Sequence, residues 1–140
     1  MRDMEVLFNS TPEEREEMSD TDVFSAGVNV TARKMHADGV ELLQLNTELN
    51  SVPSIWFKVN DKVSFIVVTV ARYPRAAEPP KDALLIDQQL SAEGFNGYWV
   101  GVTLANEFDA FDPESDEGLP LMKGFGLIPK ILDPIPLREL

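Results

Sequence analysis

The chain has 140 residues, 44% hydrophobic and 26% charged, with no cysteine and a formal net charge of −12. That length and composition suit one globular domain with its own core, and the absence of thiols excludes disulfides, a cysteine nucleophile and a cysteine metal site. The acidic excess opposes a phosphate backbone, which argues against nucleic-acid binding and favours a basic protein partner.

The opening residues, MRDMEVLFNS, lack the apolar stretch of a signal peptide. No segment approaches the roughly 20 apolar residues that span a bilayer. The expectation is a cytoplasmic protein with no membrane contact and no cofactor; a homo-oligomer is compatible with the sequence. Residues 1–20 read as a polar arm or short helix, with Thr11-Pro12-Glu13-Glu14 as a helix start. Ser19 to Asp22 offers a second cap, and Val23, Phe24, Val28, Thr31, Ala32 and Met35 continue from it at helical spacing. Gly39 is the stop. Gly27 and the β-branched Val28, Val30 and Thr31 weaken this helix intrinsically.

Val40 to Leu45 predicts a first strand and Ile55 to Val59 a second, with Trp56 and Lys58 on its outward side. Asn60-Asp61 makes a tight hairpin into Lys62 to Tyr73, KVSFIVVTVARY, the most apolar and β-branched run in the chain. Both of its faces are apolar, as expected of a central strand covered on both sides. Pro74 to Lys81 is a loop, and Asp82 to Glu93 a helix closed by Gly94. Gly97 to Leu104 is a fourth strand, parallel to the central one because a helix joins them. Glu107 to Gly118 is an acidic loop, Leu121 to Leu132 a last strand kinked at Pro129, and 133–140 a tail.

These elements predict a single α/β domain over residues 21–132 in an α+β arrangement. A mixed, mostly antiparallel sheet of about five strands carries helices packed on it, in the order α-β-β-β-α-β-β. That order resembles the restriction-endonuclease-like, PD-(D/E)xK fold. In that superfamily one strand carries an Asp after a Pro and the next carries Glu-x-Lys, and the carboxylates hold a divalent metal. Here Pro53-Ser54 stands at the first motif and Val68-Thr69-Val70 at the second. The resemblance therefore implies a nuclease-like scaffold without nuclease chemistry, since a valine neither binds a hard cation nor accepts a proton.

Other chemistry is sparse. His36 is the single histidine, so no triad or multi-histidine site can be built, and it reads as a surface residue near a helix end. Asp112, Glu114 and Asp116 have the carboxylate density of a weak cation site but depart from the EF-hand pattern. The glycines at 97, 101, 124 and 126 form no phosphate-binding loop. Trp56 and Lys58 are the candidate contact pair, an aromatic beside a cation. The leading expectation is a non-enzymatic protein-interaction domain. The alternatives are a metal-assisted hydrolase using acids of the 107–117 loop and an immunity-type inhibitor of a basic effector.

Overall fold

A computed structural model describes residues 16–108 and 119–140. The expected helix start at Thr11 to Glu14 and most of the acidic loop, including Asp112, Glu114 and Asp116, lie outside the described residues. The order is α1 (Asp20–Ala37), β1 (Glu41–Leu45), β2 (Ile55–Val59), β3 (Lys62–Arg72), α2 (Ala83–Ser91), β4 (Asn96–Asn106), β5 (Leu127–Ile131) and β6 (Ile135–Pro136), then a 3-10 turn at Leu137–Glu139. This is a mixed α+β single domain on one sheet, ordered β1-β2-β3-β4-β5, with β6 also paired to β4. Only β3 and β4 run parallel, from Ser64 opposite Asn96 to Arg72 opposite Leu104. The other pairings are antiparallel.

Local chemistry sets most element ends. Ser19 and Asp22 form a capping box at the start of α1, with Asp22 N–H donating to Ser19 Oγ (3.2 Å) and Ser19 N–H to Asp22 Oδ2 (3.1 Å). The backbone hydrogen bond from Ser19 holds the Asp22 carboxyl below its ordinary value of 3.8, assisted by the Ser19 side chain and by Lys123. A lowered folded value means that the stabilisation is complete above pH 3.8 and is lost as pH falls through the folded value. The difference in Tm between wild type and Asp22→Ala should therefore shrink as pH drops below 3.8, read from melts across an acid series. A constant gap would show that the carboxylate does not carry the cap.

At the other end of α1, Gly39 has φ +85°, and its N–H meets His36 O while Val40 N–H reaches back to Met35 O, both at 3.0 Å. This left-handed stop satisfies two orphan carbonyls. The same pair of bonds closes α2, from Gly94 to Ser91 and from Phe95 to Leu90. Asn60 and Asp61, both at positive φ, make the two-residue turn between β2 and β3.

The sheet is covered on both sides. Even residues of β3, Ile66 and Val68, join Val23, Phe24 and Val28 of α1 in one core. Odd residues, Phe65 and Val67, join Ala83 and Ile86 of α2, Trp99 and Leu137 in the other. The two-faced apolar pattern of β3 is thereby explained.

Two stretches differ from expectation. The strand expected over Leu121 to Leu132 is only Leu127–Ile131, because the chain turns at 122–125 after Met18 N–H has bonded Leu121 O and Lys123 N–H has bonded Glu16 O. Pro129 stays within that strand, opposite Leu104, on the sheet's outer edge, where a missing N–H costs no ladder bond. The stretch read as a tail pairs Ile135 with Trp99 and Pro136 with Tyr98, and buries Leu137 to 1% exposure. Gly97 makes room for it, since a methyl there would overlap the Phe65 ring and lie 2.8 Å from Leu137 Cδ1. The expected helix over Asp82 to Glu93 is present as α2, which turns Ala83 and Ile86 inward and leaves Leu84 and Leu85 exposed.

Candidate functional site

Two strands of unequal length create the main concavity. β3 has eleven residues, but β2 has five and reaches only from Val59, opposite Lys62, to Ile55, opposite Ile66. Pro53 has no N–H with which to extend the ladder. Ser54 ends the pairing instead. Its N–H donates to Ile66 O (2.9 Å), its hydroxyl donates to Ser51 O (3.0 Å), and the same oxygen accepts Val68 N–H (3.1 Å). Fully buried and with these bonds made, Ser54 is a structural plug.

Past this plug, one side of β3 has no neighbouring strand among the described residues, and a cleft of about 1080 Å³ opens there. The turn at 50–52 forms one wall and the proline-rich loop at 75–82 the other. That loop is tied to the sheet through Thr69, whose hydroxyl donates to Glu78 O (2.7 Å) and accepts the indole N–H of Trp99 (2.8 Å). Thr69→Val removes both bonds and should cost roughly 1 kcal/mol. Faster amide exchange across 76–79, with a red-shifted tryptophan emission, is the expected signature; an unchanged spectrum would show the loop to be held otherwise.

The rim is mixed in charge. Arg75 and Lys81 stand with Glu78 and Asp82, and none of these four makes an ion pair among the described residues. Val52, 52% exposed, lies on one lip, and the exposed Leu84 and Leu85 directly follow the other. Arg72, at the far end of the cleft, turns to the α1 side and bonds Met18 O and Asp20 Oδ1, each at 3.0 Å.

The residues singled out from sequence fall in different places. Ser54 bonds the backbone of Ile66 and Val68, and Val68 and Val70, the two residues at the second motif, pack on the α1 side; neither is acidic. Trp56 is half-buried and packs on Phe65 and edge-on to Phe95, with centroids 5.5 and 5.1 Å away. Lys58, on the same side of the sheet, sits 3.8 Å from Asp61. His36 is exposed in the last turn of α1. Among the described residues no three His, Cys, Asp or Glu side chains converge as a metal site, and no helix is long and apolar enough to cross a membrane.

A family model described as a domain of unknown function, DUF8840, matches residues 21–131, from the first turn of α1 through the end of β5. The chain belongs to the DUF8840 family. No curated protein and no solved structure matches it. The matched span of this DUF8840 domain takes in α1, α2, the cleft and β1 to β5, and stops before Leu137 enters the second core.

The cleft was not legible in the sequence. Its one local signal is Pro53, which stops β2 while the β-branched run of β3 continues for six residues past Ile66.

Proposed function

We propose that this DUF8840 domain is a non-enzymatic protein-interaction module on a nuclease-like scaffold, with the cleft beside β3 as its binding surface. The observation that carries the reading is the composition of the cleft floor. Val67, Thr69 and Ala71 line it, and no acid occurs between Lys62 and Arg72. Carboxylates on that floor are what metal-assisted phosphodiester chemistry would require. Ser54, at the other motif position, has its hydroxyl fully engaged. The antiparallel β1-β2-β3 meander and the parallel β3-β4 pair after α2 accord with the nuclease-like order.

The net charge of −12 favours a basic polypeptide partner and works against a phosphate backbone. Trp56 and Lys58, on the same side of the sheet as Val67 and Thr69, extend the surface toward β2.

Purified protein should not cleave DNA or RNA in Mg²⁺ or Mn²⁺, and should bind duplex DNA negligibly near physiological salt. Metal-dependent cleavage abolished by substitutions at acids in 107–117 would replace this reading with the hydrolase one. Salt-sensitive micromolar DNA binding by fluorescence anisotropy would reveal a basic face that the net charge conceals.

A further inference from the structure

Successive residues of a strand send their peptide groups to alternate sides. At the end of β3, Tyr73 N–H bonds Leu104 O in the β4 direction (2.9 Å), whereas Val68 N–H bonds Ser54 Oγ in the β2 direction (3.1 Å). Val70 therefore points its N–H and C=O with Val68, into the gap that β2 leaves. Ser54 takes one group of Val68, and Arg75 N–H takes the Arg72 carbonyl (2.9 Å). The Val68 carbonyl and both peptide groups of Val70 have no partner among the described residues. Val68 as a whole is 2% exposed and Val70 is half-buried, so the cleft meets the open edge of the strand chiefly at Val70.

A row of unpaired peptide groups along a strand is a template for another strand. We propose that the cleft is a strand-addition site, in which an extended, cationic segment of a partner polypeptide pairs with Val68 and Val70 in line with β2. Residues 67–72 extend about 20 Å at ~3.3 Å per residue, room for four or five partner residues. The apolar wall of Ala76, Ala77, Pro79 and Pro80 suits apolar side chains at alternate positions of the incoming strand. Its cationic character follows from charge complementarity with a chain of net charge −12. The rim contributes no sign of its own, because Arg75 and Lys81 offset Glu78 and Asp82. This inference rests on the protein-binding reading and names the site and mode of that binding.

The test is amide-resolved NMR on the full chain. In the free protein Val70 N–H should exchange like an exposed loop amide, while Thr69 and Val102 exchange far more slowly. The probe is a pool of synthetic heptapeptides with lysine at both ends and Val, Thr, Ile or Tyr between. Adding it should shift the amides of 68–72 and slow Val70 exchange by about tenfold or more. The same pool N-methylated at every residue between the lysines, so that neither edge can pair, should do neither, and a glutamate-ended pool should bind about tenfold more weakly at low salt. The inference is overturned by a Val70 amide already protected in the free chain, by no response to the lysine pool at millimolar concentration, or by a response indifferent to N-methylation. A basic partner mapped by the same spectra to Trp56 and Lys58 alone would also overturn it and leave the protein-binding reading standing.

Discussion

Val67→Asp and Val68→Asp are each expected to destabilise the domain by about 3–5 kcal/mol, near the severe limit for single substitutions. The two residues are neighbours in sequence but belong to separate cores. Val67 packs with Ala83, Ile86 and Trp99, and Val68 with Phe24, Val28 and Val102; each is 2% exposed. A carboxylate at either place would enter an apolar layer with no cationic partner, so its pKa must rise. The sign of the pH dependence follows. The destabilisation is largest at neutral pH, where the new group must be charged or take up a proton, and diminishes toward pH 4, where it is already about half protonated in the unfolded chain. Urea melts of both variants at the two pH values check this. A variant at either position that melts like wild type would mean that one face of β3 is wet, and the two-core architecture would fall. An intact Val68→Asp alone would further remove the reason for placing α1 on that face.

Gly27→Ala is expected to destabilise by about 2–3 kcal/mol, although alanine is the better helix former by about 1 kcal/mol. Gly27 lies in the middle of α1, where it faces β3. A methyl at this position would overlap Val70 Cγ2 and stand 3.1 Å from Val70 Cγ1. Valine is stiff at χ1, and the backbone of Val70 is held in the β3–β4 ladder opposite Val102, so the conflict has to be relieved by lifting the helix. Lifting α1 would loosen the contacts of Val23, Phe24 and Val28 with Ile66 and Val68. The cause can be isolated with Val70→Ala, which removes both clashing methyls. The double variant should then be less destabilised than the sum of the two single changes, by a coupling of about 1 kcal/mol or more. Strict additivity would place the cost of Gly27→Ala elsewhere. A Gly27→Ala protein more stable than wild type would show that intrinsic propensity outweighs the close approach, and that α1 rides higher on the sheet than described.

Much of the scaffold follows from short stretches of sequence. The Ser19 capping box, the left-handed stops at Gly39 and Gly94 and the Asn60-Asp61 turn each rest on residues within six positions of one another, so the local pattern specifies them. The alternation of β3 likewise reports burial on both faces, because period-2 geometry turns neighbouring side chains into opposite layers. On these grounds the helix-and-strand order and the mixed, mostly antiparallel sheet were legible.

The rest depended on contacts between residues far apart in the chain. Ile135 to Leu137 looks like a tail until β4 supplies a ladder and Phe65 and Gly97 supply a socket. Which residues of α2 face the sheet is decided by its packing in the second core, which takes Ala83 and Ile86 and leaves Leu84 and Leu85 exposed. Glycine at position 27 reads as a weak point in a helix, and only the nearness of Val70 makes it a requirement. Above all, Pro53 is the one local hint that β2 stops, and only the register between the strands sets that stop opposite Ile66 while β3 runs on to Arg72. Hydrogen-bond pairing is a relation between strands, so the sequence by itself determined the main strands β1 to β4, and the tertiary structure alone decided that 135–136 pairs as well and where β3 is left without a neighbour among the described residues.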